Sequence, residues 1–184
     1  YTAADGNVIS GNGGAGVLIS GSATTRVSVV LNTIGTAPSL RGPIPNSGDG
    51  VLLTDGAHDC IVDMNLISGN RGHGVRIAAD DGGIPRDNAV QSNTIGTDAP
   101  SGRALPNAGC GISVEHSPGN RIGGLGAFYG NLISGNVGEG ISVSGQECIG
   151  TTIHGKLVGR HRTPNKPIPN GINFIALAHA RNTI

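Results

Sequence analysis

The chain has no tryptophan, a single methionine and only four aromatic residues, Tyr1, Phe128, Tyr129 and Phe174. Sugar-binding grooves usually display several rings for stacking, so this scarcity counts against a long aromatic-lined cleft. Charge is scarce too. Twelve basic and twelve acidic residues cancel, so neither nucleic-acid nor membrane-surface affinity follows from net charge. No apolar run approaches the ~20 residues of a membrane span, so no membrane insertion is expected. The three cysteines, Cys60, Cys110 and Cys148, cannot all pair and lack Cys-x-x-Cys spacing. They read as small buried apolar side chains. Helical periodicity is missing, and no Gly-x-Ser-x-Gly elbow, P-loop, His-Glu-x-x-His or dinucleotide fingerprint occurs in a fitting context.

What is abundant is glycine, 33 residues of 184, and the apolar 36% is distributed periodically rather than in blocks. That periodicity argues for a folded repeat rather than disorder. The phrase Gly-apolar-x-apolar returns six times, at Gly16-Val17-Leu18-Ile19, Gly50-Val51-Leu52-Leu53, Gly74-Val75-Arg76-Ile77, Gly111-Ile112-Ser113-Val114, Gly140-Ile141-Ser142-Val143 and Gly171-Ile172-Asn173-Phe174. This alternation is that of a strand with one face buried and one wet. A second station recurs as Asn7-Val8-Ile9, Asn32-Thr33-Ile34, Asn65-Leu66-Ile67, Asn93-Thr94-Ile95 and Asn131-Leu132-Ile133, with Lys156-Leu157-Val158 in sixth place. A weaker third station falls near Val27, Ile61, Val90, Ile122, Ile153 and Ile184.

The offset from the second station to the next glycine strand alternates: 8 residues, 17, 8, 17, 8 and then 14. Short corners read Ser-Gly-Asn, at Ser10, Ser68 and Ser134; long corners start at Gly35, Gly96 or Gly159 and end in Pro45-Asn46, Pro106-Asn107 or Pro169-Asn170. Equivalent strands are separated by a whole coil, so neighbours run parallel, and the rest of the coil is the crossover that parallel pairing needs. The expectation is an all-β, right-handed parallel β-helix of about six coils with three short strands each, arranged as three two-coil repeats. It fills residues 1–184 as one domain. Recurrent asparagines at a corner should form a ladder. Neither end offers a cap, so the segment is expected to belong to a longer chain, its ends stacking on further repeats or a partner chain.

The string Gly6-Asn7-Val8-Ile9-Ser10-Gly11-Asn12, followed by Gly-Val-x-Ile, Asn-x-Ile-Gly-Thr and Leu-Pro-Asn-x-Gly, resembles repeat regions of bacterial secreted or surface β-helix proteins of the pectate-lyase-like superfold. The resemblance implies a secreted or cell-surface location and dealings with polysaccharide. It leaves activity open, because one fold hosts many functions.

Candidate chemistry falls in three places. Two residues before each glycine strand's first apolar position stand Ala15, Asp49, His73, Cys110, Glu139 and Asn170. Coils stack roughly 4.8 Å apart, so Asp49, His73, Cys110 and Glu139 form an ionisable row. Asp49, His73 and Glu139 are the candidate catalytic groups: a carboxylate beside a histidine can orient a general base, and His, Cys and Glu can ligate a metal. The competing reading is a run of solvated corner residues. Gly48-Asp49-Gly50 before Gly72-His73-Gly74 is similar in part to the polygalacturonase pattern, but Gly50 stands where the second aspartate belongs, and inverting hydrolysis needs two carboxyls.

Asp80, Asp81 and Asp87 form the second candidate, an oxygen site for Ca²⁺ against an acidic polymer; Arg71, Arg76 and Arg86 close by favour a plain solvated insertion. No other cofactor is expected. The third candidate is a basic edge, in which Arg41, Arg103 and Lys166, with Arg160 and Arg162, recur every second coil, roughly 10 Å apart, suiting an anionic polysaccharide. The reading that follows is a non-catalytic β-helical spacer or binding module of a secreted or surface protein contacting acidic polysaccharide. The alternative is a polysaccharide lyase or glycoside hydrolase of the same superfold.

Overall fold

A computed structural model describes residues 6–40, 42–80, 82–98, 102–126, 128–155, 157–160, 166–178 and 181–183. The chain winds into coils whose strands stack in three parallel sheets of six strands each. The glycine sheet holds Val17–Ser20, Val51–Thr54, Val75–Ala78, Ile112–Glu115, Ile141–Ser144 and Ile175–Ala178. The asparagine sheet holds the two-residue strands Val8–Ile9, Thr33–Ile34, Leu66–Ile67, Thr94–Ile95, Leu132–Ile133 and Leu157–Val158. The third sheet runs from Ser28–Val30 through Ile61–Asp63, Ala89–Gln91, Arg121–Gly123 and Ile149–His154 to Arg181–Thr183.

Each strand contributes one or two inward side chains, so the core is a set of vertical files. Val51, Val75, Ile112 and Ile141 form one, Leu53, Ile77, Val114 and Val143 a second, Ile34, Ile67, Ile95 and Ile133 a third, all fully buried. The third sheet's file is Val29, Val62, Val90, Ile122 and Ile153. It therefore corrects two expected positions: Val29 and Val62 point inward where Val27 and Ile61 were assigned. Ile184 lies outside the described residues.

The corners are held by asparagine. One ladder climbs Asn7, Asn32, Asn65, Asn93 and Asn131, each above Asn7 lending its side-chain oxygen to the backbone N–H and amide of the residue below, as in Asn65 N–H to Asn93 Oδ1 at 2.9 Å. A second climbs Asn12, Asn46, Asn70, Asn107, Asn136 and Asn170. Short and long corners thus deliver an asparagine to the same column. The extra residues of a long corner fold out and return, with Leu105 N–H bonding Gly96 O at 2.8 Å and Ile168 N–H bonding Gly159 O at 2.9 Å.

This second ladder overturns the sixth glycine strand. Asn170 stacks on Asn136, so it belongs to the asparagine column and not to the ionisable row. Ile141 follows Asn136 by five positions and Ile175 follows Asn170 by five, so the strand is Ile175–Ala178 and Ile141 pairs with Ile175. Ile172 and Phe174 are left exposed. The offset from Val158 is then 17 residues, like the other long corners. Gly171 imitated the repeat phrase, but buried amide hydrogen bonds set the register.

Glycine precedes the strand in the first five coils for a steric reason. A Cβ on Gly74 would stand 2.5 Å from Gly111 O and 2.6 Å from Ile95 Cγ2. In the sixth coil Phe174 takes that place, and its ring lies over Gly159, where Asn70 lies over Gly35 and Asn136 over Gly96 in lower coils.

Candidate functional site

The ionisable row exists. Asp49, His73, Cys110 and Glu139 stand one per coil just before successive strands of the glycine sheet. At this position the strand ladder has not begun, so the backbone N–H groups need other acceptors. Side chains supply them. Asp49 Oδ1 accepts the N–H of His73 at 2.6 Å, and His73 Nδ1 accepts the N–H of Cys110 at 3.0 Å. The Cys110 thiol donates to Glu139 Oε2 at 3.1 Å.

These bonds decide what the row can do. Asp49 touches the backbone of His73, not its ring, and among the described residues no carboxylate orients the imidazole. With Nδ1 accepting a backbone N–H, the neutral ring carries its proton on Nε2 and offers no lone pair to a substrate proton. Burial, and then the bond to Glu139, push the Cys110 thiol up to about 12, so it stays protonated near neutrality and lacks the thiolate a nucleophile needs.

The Gly-x-Gly frame around each member has the same structural origin. It recurs as Gly48-Asp49-Gly50, Gly72-His73-Gly74, Gly109-Cys110-Gly111 and Gly138-Glu139-Gly140. The leading glycine makes room for the coil below: a Cβ on Gly72 would strike Asp49 Oδ1, and one on Gly109 would lie 2.8 Å from His73 Nδ1. The trailing glycine clears the next coil's backbone. Gly-His-Gly is one instance of a packing rule that all these coils obey.

Beside the row, on the outer face of the glycine sheet, Arg76 and Glu115 form a forked pair that spans two coils. Nη2 to Oε2 is 2.8 Å and Nε to Oε1 is 3.1 Å, and the Ser113 hydroxyl adds a bond to Oε1 at 2.7 Å. Burial pushes the Glu115 carboxyl up, but Arg76 and Ser113 outweigh it, and the net shift is downward. The Glu115 bonds hold the Arg76 guanidinium above its ordinary value. Neither Ser113 nor Glu115 was among the expected site residues. Their signal was an outward Arg, Ser and Glu in register on adjacent strands.

Of the other candidates, Asp80, Asp87 and Arg103 each meet a different partner. Asp80 Oδ2 accepts the Thr54 hydroxyl at 2.8 Å, and Asp87 faces Arg86 at 3.8 Å. Among the described residues no group of three or more His, Cys, Asp or Glu is placed to hold a metal, and Asp81 lies outside them. On the expected basic edge, Arg103 is tied back to the buried carboxylate of Asp98 through its N–H at 2.8 Å and its Nε at 3.4 Å. Arg160 and Lys166 are exposed on the last long corner, while Arg41 and Arg162 lie outside the described residues. Cys60, Cys110 and Cys148 are free and buried, as their spacing suggested.

A coiled all-β chain with three parallel sheets is a right-handed parallel β-helix. A family model described as "Right handed beta helix region" matches residues 2–158, and the chain belongs to that family. No curated protein gives a significant match. No solved structure does either.

Proposed function

We propose that this chain is a non-catalytic β-helical module of a secreted or surface protein, a rigid spacer that contacts anionic polysaccharide. The observation that carries the non-catalytic half is the bonding of His73. Its Nδ1 is spent on the Cys110 backbone, and among the described residues no carboxylate bonds its ring. A histidine acting as general base needs a ring nitrogen with a free lone pair within reach of the substrate proton, and the neutral His73 ring, bonded in this way, has none.

Support for the binding half is the periodic placing of cations. Long corners recur every second coil, roughly 10 Å apart, a spacing commensurate with a polymer of charged sugars. Arg103 keeps 65% of its side chain exposed while paired to Asp98, and Arg160 and Lys166 are exposed. Charge-assisted bonds from such groups to carboxylate or sulfate are weak singly and add along a chain.

The test is a screen of the folded chain against plant, algal and bacterial polysaccharides, scoring both retention and new reducing or unsaturated ends. Retention of acidic polymers that falls with salt, without new ends, is the expected result. Chain cleavage lost in His73→Ala would overturn the non-catalytic reading. Absence of salt-dependent retention, or its full persistence in Arg103→Ala with Arg160→Ala and Lys166→Ala, would remove the basic edge.

A further inference from the structure

The fourth coil departs from its neighbours at one corner. From the inward residue of the third sheet to the asparagine that opens the next sheet there are three residues in the coils below, Val62 to Asn65 and Val90 to Asn93. From Ile122 to Asn131 there are nine. The insertion carries two of the chain's four aromatic residues. Leu125 is 91% exposed, Phe128 86% and Tyr129 48%. In a protein otherwise almost without rings, this concentration at one corner stands out.

The tyrosine is not loosely displayed. Its N–H closes a turn onto Gly126 O at 3.1 Å, and its carbonyl accepts the Ser92 N–H of the coil below at 3.3 Å. The ring lies against the backbone of Gly124 and Gly126: a Cβ on Gly126 would fall 2.7 Å from Cδ2, and one on Gly124 2.9 Å from the tyrosine Cβ. Two glycines have left the space that the ring occupies. Beside it opens a cavity of about 360 Å³ lined by Arg121, Leu125, Tyr129, Thr152 and His154. That volume is at the lower end for ligand sites, ~300–1,000 Å³, which suits one or two small rings. Arg121 is steadied by one hydrogen bond, Nη2 to Gln91 Oε1 at 3.3 Å, and Gln91 in turn bonds Asp63. Among the described residues nothing else takes its five N–H donors, so most of them remain for a ligand.

The geometry points to a binding subsite for an acidic sugar residue, a pyranose ring bearing a carboxylate, packed on Tyr129 with its carboxylate on Arg121. An aromatic face is negative at its centre and attracts the weakly positive C–H edges of such a ring. A guanidinium takes a carboxylate through two parallel bonds. The Thr152 hydroxyl and the His154 ring supply hydrogen-bonding groups for sugar hydroxyls. Because Tyr129 is already held, little ordering is required when the ligand arrives. This subsite rests on the reading of the chain as a binder of anionic polysaccharide, and it lies on the third sheet, away from the ionisable row and the long corners.

The experiment is a titration of the folded chain with glucuronate and galacturonate trisaccharides, with an uncharged glucose trisaccharide as control. Heat of binding, measured by titration calorimetry, is the readout, since the chain contains no tryptophan and two of the variants remove Tyr129, one of its two tyrosines. Expected is saturable binding of a uronate trisaccharide that weakens about tenfold or more in Arg121→Gln and in Tyr129→Ala, with Tyr129→Phe close to the parent. Equal binding of the neutral control, or unchanged affinity in both loss variants with unaltered melting temperatures, overturns the subsite. If retention of long acidic polymers survives those results and still depends on Arg103, Arg160 and Lys166, only the subsite falls. If no acidic glycan is retained at all, both readings fall together. Concentration-dependent self-association abolished by Leu125→Ser with Phe128→Ser would assign the exposed corner to a second copy and overturn the proposal.

Discussion

The asparagine column through Asn46, Asn70, Asn107 and Asn136 and the mixed column through Asp49, His73, Cys110 and Glu139 stand three residues apart in every coil. Both join coil to coil through side chains, and both catch backbone N–H groups left over at a corner. They differ in burial and in number of bonds. The asparagines are almost wholly buried, and Asn107 alone receives the N–H and amide of Asn70 while donating to Asn136 and to Ile67 O. Asparagine carries a donor and an acceptor on one short group, so a single residue type propagates up the stack. The mixed column has one acceptor to provide per rung, which a carboxylate or an imidazole does equally well. Variety in that column therefore reflects tolerance, whereas uniformity in the other reflects demand.

The contrast is broken most directly by truncating one member of each column. Asn107→Ala removes four buried hydrogen bonds; Ile67 O keeps Gly96 N–H and the Asn70 amide keeps Ile34 O, but the Asn70 N–H and Asn136 Oδ1 are stranded. At ~1–3 kcal/mol for each unsatisfied group, part of it relieved by water, the expected loss is about 2–4 kcal/mol in chemical unfolding. Asp49→Ala leaves a single half-exposed N–H, and about 1 kcal/mol should be lost. Equal losses at the two positions would erase the distinction between demand and tolerance.

Glu115→Gln comes next. The forked pair with Arg76 has about 29% and 27% side-chain exposure, so a loss of about 1 kcal/mol at neutral pH is expected. Its pH dependence has a defined sign. The folded chain holds Glu115 below its ordinary 4.5, so the pair's contribution is complete above that value and fades as pH falls through the lower, folded one. The gap between parent and variant stabilities should close on acidification. A gap constant from pH 7 to about pH 2 would show that packing, not charge, is lost.

The fold was open to reading because it repeats. Period-2 alternation in Val51-Leu52-Leu53 or Ile141-Ser142-Val143, combined with coil-length spacing, admits hardly any architecture but parallel stacking. Where the reading failed, a local pattern competed with a buried bond. Gly171-Ile172-Asn173-Phe174 matches the strand phrase, yet Asn170 is pinned on top of Asn136 and shifts the strand to Ile175. The row of Asp49, His73, Cys110 and Glu139 was found because columns follow from spacing. Its chemistry was not, since whether a carboxylate meets a ring or a backbone N–H is a matter of ångströms. The corner with Tyr129 was overlooked because it breaks the repeat, although the nine-residue interval from Ile122 to Asn131 marks it.

The smallest effect at neutral pH, and the sharpest probe of the mixed column, is Cys110→Ser. A hydroxyl can still donate to Glu139 Oε2, so near neutrality the variant should match the parent within about 0.5 kcal/mol. Alkali should separate them. In the unfolded chain the thiol ionises at its ordinary 9.0, whereas burial and the Glu139 carboxylate hold it protonated in the fold up to about 12. Between those values the unfolded chain has lost a proton that the folded chain keeps, so the parent loses stability as pH rises from 9.0 towards 12. Serine does not titrate there, and the variant escapes that part of the decline. Parallel stability curves for the two proteins across the alkaline range would mean that the thiol ionises as readily folded as unfolded. Cys110 would then be a reactive group, and the column would be structural only on either side of it.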